Sequence, residues 1–259
     1  MTRNTLARPS ESRVGRPSET GATGNTDDAV LKDCDPRSFD HLAEEYDFVA
    51  SLVRKPDFFL SHLPQHRRRV LDVGCGTGVL ASELSQHFES VVGIDISEPM
   101  LAIARGKRAA ANIEYRRADA NQLVLEQKFD AIVSHTAFHH LENVPRTLGV
   151  LKGALEPGGR LILVDNVTGK FVIARHPFLY VLFSYLRFPS DILRLGLRPA
   201  WRLFRFCVSR SWIAHVTTDG YLSADGFREV YGQLLPGASF TRLKYFMGVV
   251  WQAPDGDVT

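Results

Sequence analysis

Cysteine is scarce in this 259-residue chain: Cys34, Cys75 and Cys207 are the only three, and they lie far apart. An odd, scattered set supplies neither a disulfide framework nor the ligand spacing of a zinc site, so no metal is expected and a reducing cytosol is the default. An excess of one charge is missing too. Lys and Arg number 31 against 29 Asp and Glu, a formal net charge of +2 that gives no general support for nucleic-acid binding. Long apolar runs are absent. The longest notable uncharged one, His176 to Leu186, has 11 residues, where about 20 are needed to cross a bilayer. The opening Met-Thr-Arg-Asn-Thr-Leu lacks the apolar stretch of a secretory signal, and the early arginines show no amphipathic face of a transit peptide. Residues 1–35 hold no aromatic and only Leu6, Val14, Val30 and Leu31 as larger aliphatics. They cannot offset their ordering entropy and are expected to form a disordered tail.

What remains is 44% hydrophobic overall and long enough for one domain with its own core. Phe39, Leu42, Ala43, Tyr46, Val49 and Val53 follow helical spacing. Strand and helix signals then alternate. Strands are expected at 69–73, 91–94, 113–117, 129–134 and 160–164. Helices are expected at 78–87, at 99–110 with Ser97 as cap, and at 144–155 with Pro157-Gly158-Gly159 as stop. Such βαβ units build a mainly parallel sheet covered on both faces. Residues 168–222 break the alternation. A helix near 224–234 and strands at 240–243 and 245–251 resume it, the last two close enough for an antiparallel hairpin.

The most informative segment is Val70-Leu71-Asp72-Val73-Gly74-Cys75-Gly76-Thr77-Gly78, a strand entering a glycine loop. Glycines permit the tight turn and let a ligand approach the backbone. The third glycine comes one residue early for a dinucleotide fingerprint. Asp72, at the strand end, is badly placed for a pyrophosphate and well placed for a ligand ammonium. Asp95 ends the next strand, 21 residues after Gly74, a spacing at which acids accept from ribose hydroxyls. Asp119 follows the third strand. In an open parallel sheet these carboxyl ends line the ligand crevice. Cys75 has no base matched to it and reads as a packing residue.

The motifs V-L-D-V-G-C-G-T-G (70–78), G-I-D-I-S-E-P-M-L (93–101), A-D-A (118–120), F-D-A-I-V-S-H-T-A-F-H-H-L (129–141) and L-K-G-A-L-E-P-G-G-R-L-I-L-V-D (151–165) carry a resemblance. The chain resembles the class I S-adenosylmethionine-dependent methyltransferases, in particular the small-molecule branch with the ubiquinone and menaquinone enzymes. The resemblance spans residues 38–165, with an echo to 252. It implies an α/β, Rossmann-like, doubly wound fold with a seven-stranded, mainly parallel sheet whose last strand is antiparallel, plus a helical insertion. It implies S-adenosyl-L-methionine as cofactor. Asp72 and the loop of Gly74, Cys75, Gly76 and Gly78 would hold its methionine part, Asp95 the ribose, Ile96 the adenine face, and Asp119 with Ala120 the adenine edge. Tyr46 is a candidate for the wall near the sulfur, or else a core aromatic. His139 or His140 is the candidate base, His135 a supporting residue, and His215 belongs to the variable segment.

The expected organisation is therefore a tail at 1–35, a methyltransferase domain at 36–252 with an insertion at 168–222, and a short tail at 253–259. The insertion holds eight Lys or Arg against two acids and 11 of the 26 aromatics; its excess of +6 leaves the remainder at −4. Four readings stay open: a lid over the active site, peripheral membrane contact through 171–210, a nucleic-acid surface, or packed helices with solvated arginines. An amphipathic helix is expected after Pro199, with Trp201, Phe204 and Val208 on one face and Arg198, Arg202 and Arg205 on another. No Asn-Pro-Pro-Tyr motif follows the fourth strand, which speaks against base-amino methylation and an RNA substrate. The expectation is a cytoplasmic, perhaps-membrane-peripheral distinction left to the insertion, with a small hydrophobic or aromatic acceptor. The alternative is a catalytically silent cofactor-binding module of the same fold.

Overall fold

The computed structural model describes residues 40, 42–53, 56–168, 176–218 and 220–255. The expected tail 1–35, Phe39, and Lys170 and Arg175 of the insertion lie outside the described residues. Seven strands are seen: β1 (Arg69–Val73), β2 (Ser90–Asp95), β3 (Ile113–Arg117), β4 (Phe129–His135), β5 (Leu155–Asn166), β6 (Ser239–Leu243) and β7 (Phe246–Gln252). They form one sheet in the order β3-β2-β1-β4-β5-β7-β6. β1 to β5 pair in parallel, and β7 runs antiparallel between β5 and β6. The hairpin expected at the chain's end is present, and its second strand is inserted into the sheet next to β5.

Helices α1 (Ala43–Val53), α2 (Pro56–Ser61), α3 (Val79–Leu84), α4 (Glu98–Lys107), α5 (Val144–Gly153), α6 (Pro177–Leu195), α7 (Leu197–Cys207), α8 (Arg210–Thr218) and α9 (Ala224–Leu234) complete the described elements. The central strands are buried along their length, β4 at six of its seven positions. Two apolar clusters cover the sheet's faces. One joins Leu71, Ile132, Phe138, Leu151 and Phe227, the other Val70, Val133, Phe59, Leu84 and Ile162. Adjacent strand residues thus point to opposite cores, as a sheet layered with helices on both sides requires.

Two boundaries differ from expectation. α5 stops at Gly153 instead of continuing to Leu155, because Leu155 already pairs with Phe129 and the Phe129 N–H donates to the Ala154 carbonyl at 2.9 Å. Pro157-Gly158-Gly159 is an irregularity inside β5, not a break before it: Phe129 faces Leu155 while Ala131 faces Arg160. A Cβ at Gly159 would lie 2.8–3.2 Å from three carbonyl oxygens, so the strand can fold over itself there only without a side chain. In α7 the buried face is Ala200, Leu203, Phe204, Phe206 and Cys207. Trp201 is 51% exposed and Val208 lies beyond the helix end, so the expected apolar face is corrected. α7 is packed from two sides, against α1 through Leu203 and Phe206, and against α6 through Phe204. That turns more of its circumference inward than a single stripe predicts.

The chain reverses its direction of sheet growth between β1 and β4. At that point the two strands diverge, and the buried Ser134 hydroxyl bridges them by donating to the Val73 carbonyl at 2.7 Å. A crevice outside the carboxyl ends of such strands is where open α/β sheets bind ligands.

Candidate active site

Two adjoining cavities occupy that crevice, with empty spaces of about 790 Å³ and 570 Å³. Tyr46, Gly74, Gly76, His135 and Thr136 border both. The larger also meets Asp95, Ile96, Asp119, Ala120 and His140, and the smaller meets Asp72 and Cys75.

The glycine loop between β1 and α3 forms the floor. Gly74 and Gly76 take φ of +70° and +53°, in the left-handed region that β-carbons disfavour. The Gly74 and Cys75 N–H groups both donate to the Ile94 carbonyl at 2.9 Å, which locks the loop onto β2. A Cβ on Gly74 would lie 2.3 Å from the Ala137 Cβ, whereas one on Gly76 would meet nothing within 4 Å. Gly74→Ala is therefore expected to lower the melting temperature and weaken cofactor binding more than tenfold. Gly76→Ala should retain most of the stability, losing about 1–2 kcal/mol to backbone strain. Thermal unfolding of the two variants side by side checks this; equal melting temperatures would contradict the packing argument.

Asp72 is 1% exposed and its Oδ2 has no hydrogen-bond partner. Burial, together with the nearby Asp95 carboxyl, pushes its pKa up to about 8 against a single offsetting backbone bond from Ala81. Asp95 is half-buried, and burial raises its pKa as well. Its Oδ2 accepts from the Gly76 N–H at 2.8 Å and its Oδ1 from the Ser97 N–H at 2.9 Å. Each oxygen keeps a lone pair on the cleft side for a further donor. Ser97 caps α4 as expected, its Oγ accepting from the Met100 N–H at 3.3 Å. Asp119 opens a short 3₁₀ turn, its Oδ1 accepting from the Asn121 N–H at 2.9 Å. The Cys75 thiol is buried, and desolvation with the Asp72 and Asp95 carboxyls pushes its pKa well up, so it stays protonated and packs.

α1 closes one side. Lys107 Nζ reaches Glu44 and Asp47, both at 2.9 Å, Arg108 Nη1 reaches Asp47 at 2.6 Å, and Arg202 Nε reaches Glu45 at 2.8 Å. Asp40 accepts from the Ser97 hydroxyl at 2.5 Å. These contacts hold Tyr46 where it borders both cavities.

The two candidate bases occupy different places. His140 borders the larger cavity, whereas His139 borders neither. The His139 ring is 7% exposed, its Nδ1 lies 2.6 Å from Asp165 Oδ1, and its backbone N–H donates to Asp165 Oδ2 at 2.9 Å. Its ring lies 3.9 Å from that of His140. His215, on α8 of the insertion, stands 5.6 Å from His140, and Tyr221 stands 5.0 Å from His139. His135 lies on the cleft wall itself rather than behind it. Sequence reasoning missed Thr136, whose φ of +55° is unusual for a β-branched residue. It also missed Asp165, although another Asp at a strand's carboxyl end was a signal of the same kind as Asp95.

The residues fit the expected cofactor on these observations: a partnerless buried carboxyl oxygen for an ammonium, a glycine cradle open where a Cβ would intrude, and two acids with spare acceptors along the adenosine side. The fold and the site together define a class I S-adenosylmethionine-dependent methyltransferase domain. Residues 71–163 match the family model described as a methyltransferase domain. Over 107 residues, the chain is 40% identical to an uncharacterized methyltransferase of Mycobacterium tuberculosis, covering 41% of this chain and 54% of that protein. It is 34% identical over 142 residues to the demethylmenaquinone methyltransferase of Thermus thermophilus, covering 49% and 63%. The chain thus spans little more than half the length of these curated relatives. In fold it is like the solved DhpI–SAH complex, with a TM-score of 0.57, 18% identity, and coverage of 85% of this chain and 95% of that one.

Proposed function

We propose that this chain is an active methyltransferase that transfers a methyl group in line from S-adenosyl-L-methionine to a small, hydrophobic or aromatic acceptor in the cytoplasm. The observation that carries this reading is His140, a proton acceptor on the wall of a cleft whose floor is built for the cofactor. When bound, that cofactor supplies an electrophilic methyl group on a sulfonium. The protein's share is then to bind, to orient and to take a proton. Asp72 would pair with the ammonium, Asp95 with the ribose hydroxyls, and Asp119 with the adenine amino group. All three carboxyls grip the periphery. A carboxylate at the sulfonium would favour the charged ground state over the transition state, which loses that charge.

His140 would accept the acceptor's proton at a ring nitrogen. His139, clasped by Asp165, acts as its positioning neighbour. Phe138 and Leu141 supply apolar wall, which supports an apolar acceptor. Calorimetric titration with S-adenosylmethionine, followed by a screen of metabolite extracts for cofactor-dependent products, tests the reading. His140→Ala should lower turnover roughly 10²–10⁴-fold with cofactor affinity unchanged. Unchanged turnover would remove His140 as base. Binding without any product would favour the silent-module reading instead.

A further inference from the structure

The outward face of α6 and α7 is unusual for a surface. Phe178 is 76% exposed, Leu186 72%, Leu193 89% and Leu197 64%, with Leu182 and Trp201 beside them in the same helical pair. On each helix the exposed positions recur at helical spacing. In α6 they fall at 178, 182, 186, 190 and 193–194; in α7 at 197–198, 201–202 and 205. The inward positions, such as Ser184, Asp191, Ala200 and Phe204, are buried. The two helices thus have a satisfied inner face and a second apolar face turned to solvent. A contiguous apolar patch of this kind on a folded domain marks an interaction site.

Charge says what the partner is. Arg194, Arg198 and Arg205 are exposed on this face and form no ion pair among the described residues. The acid of α6, Asp191, is 5% exposed and committed to Arg187 at 2.9 Å. The described part of this face therefore presents cations without anions, interleaved with large apolar side chains. Among the described residues no helix is long and apolar enough to cross a membrane. A helix with that composition lies along a bilayer interface, apolar side chains among the acyl chains and arginines at the headgroups. Trp201 and Tyr185, both more than half exposed, are side chains that favour that boundary. Four of the six apolar residues are leucines, which offer no ring for base stacking, so the surface is poorly suited to nucleic acid.

We propose that the outer face of α6 and α7 docks this protein on anionic lipid bilayers, with Phe178, Leu182, Leu186 and Leu193 inserted and Arg194, Arg198 and Arg205 at the phosphates. The proposal goes beyond the catalytic reading and does not depend on it. It has a consequence for the site, because the same insertion carries His215 to within 5.6 Å of His140. A docked insertion sets the wall of the cleft against the bilayer from which an apolar acceptor would come.

Co-sedimentation of the full chain with vesicles tests it. Vesicles of phosphatidylcholine with one quarter phosphatidylglycerol should bind the protein, and pure phosphatidylcholine should bind it far less. Phe178→Glu with Leu186→Glu should reduce partitioning more than tenfold. Each of Arg194→Glu, Arg198→Glu and Arg205→Glu should cost at least fivefold, the worth of one cation near such a surface. High salt should weaken binding in the wild type. These residues lie outside the cleft, so binding of S-adenosylhomocysteine should be unchanged in every variant, which separates docking from folding. No sedimentation with the anionic vesicles overturns the proposal, as does binding indifferent to the glutamate pair. A dimer in light scattering that the glutamate pair dissociates, without vesicle binding, assigns the face to a second copy. Binding to a single-stranded RNA oligomer in place of vesicles assigns it to nucleic acid.

Discussion

Asp95→Ala is expected to lower the affinity for S-adenosylhomocysteine by roughly 10²–10³-fold in calorimetric titration, since a hydrogen bond to a charged acceptor contributes about 1.5–3 kcal/mol and two are lost. The loss has two physical parts. The carboxylate is the acceptor placed for the ribose hydroxyls, and it is also the clasp that ties the glycine loop to α4. Its two oxygens take the Gly76 and Ser97 N–H groups at 2.8 and 2.9 Å. Removing it frees the loop as well as the ligand. The fold should survive, because the Ser97 Oγ still caps α4 and the Gly74 and Cys75 N–H groups still bond the Ile94 carbonyl. Asp95→Asn, which keeps one acceptor oxygen, should lose less. An affinity within threefold of the wild type for the alanine variant would show that the ribose is held elsewhere.

Asp72 predicts a coupling between cofactor and proton. With its pKa pushed up to about 8, its carboxyl is largely protonated at pH 7 in the folded chain. An ammonium brought against the partnerless Oδ2 favours the ionised form, so binding should release close to one proton at pH 7 and almost none at pH 9. Titrations in buffers of different ionisation enthalpy measure that number directly. The sign for stability follows from the same shift. Between the unfolded value of 3.8 and about 8, the folded state holds a proton that the unfolded state has lost. Stability from this group is therefore full below 3.8 and falls as pH rises, by at most about 1.4 kcal/mol per pH unit, until the group ionises near 8. Asp72→Asn removes that slope. The variant should gain in melting temperature over the wild type as pH rises from 5 to 8, while losing about 10–100-fold in cofactor affinity. Parallel pH dependences for the two proteins, or undiminished affinity, would contradict the role given to Asp72.

Much of the cofactor half was legible because it is local in sequence. The turn after β1 needs glycine at Gly74 and Gly76, and that demand is written in the residues themselves. Asp72, Asp95 and Asp119 each end or follow a strand, so the alternation of strand and helix signals placed them together before any contact was known. Ser97 announced its helix by ordinary capping chemistry. The difficulties came where distant segments compete. Leu155 leaves its helix because Phe129, on another strand, offers a sheet partner. Trp201 faces outward because α7 is packed by α1 and α6 together, and neither can be read from a single helical stripe.

The histidines mark the same divide more sharply. The chain places His139 and His140 side by side, and spacing cannot say which meets the cleft. Asp165, 26 residues away, decides it by taking the His139 ring and backbone together, which leaves His140 on the wall. His215 arrives from an insertion whose position no periodicity encodes. The sequence by itself determined the sheet, the glycine loop and the three acids, because backbone conformation and strand ends follow from neighbours along the chain. Only the tertiary structure decided the base, the acceptor wall and the exposed apolar face, because burial and pairing depend on which remote surfaces meet.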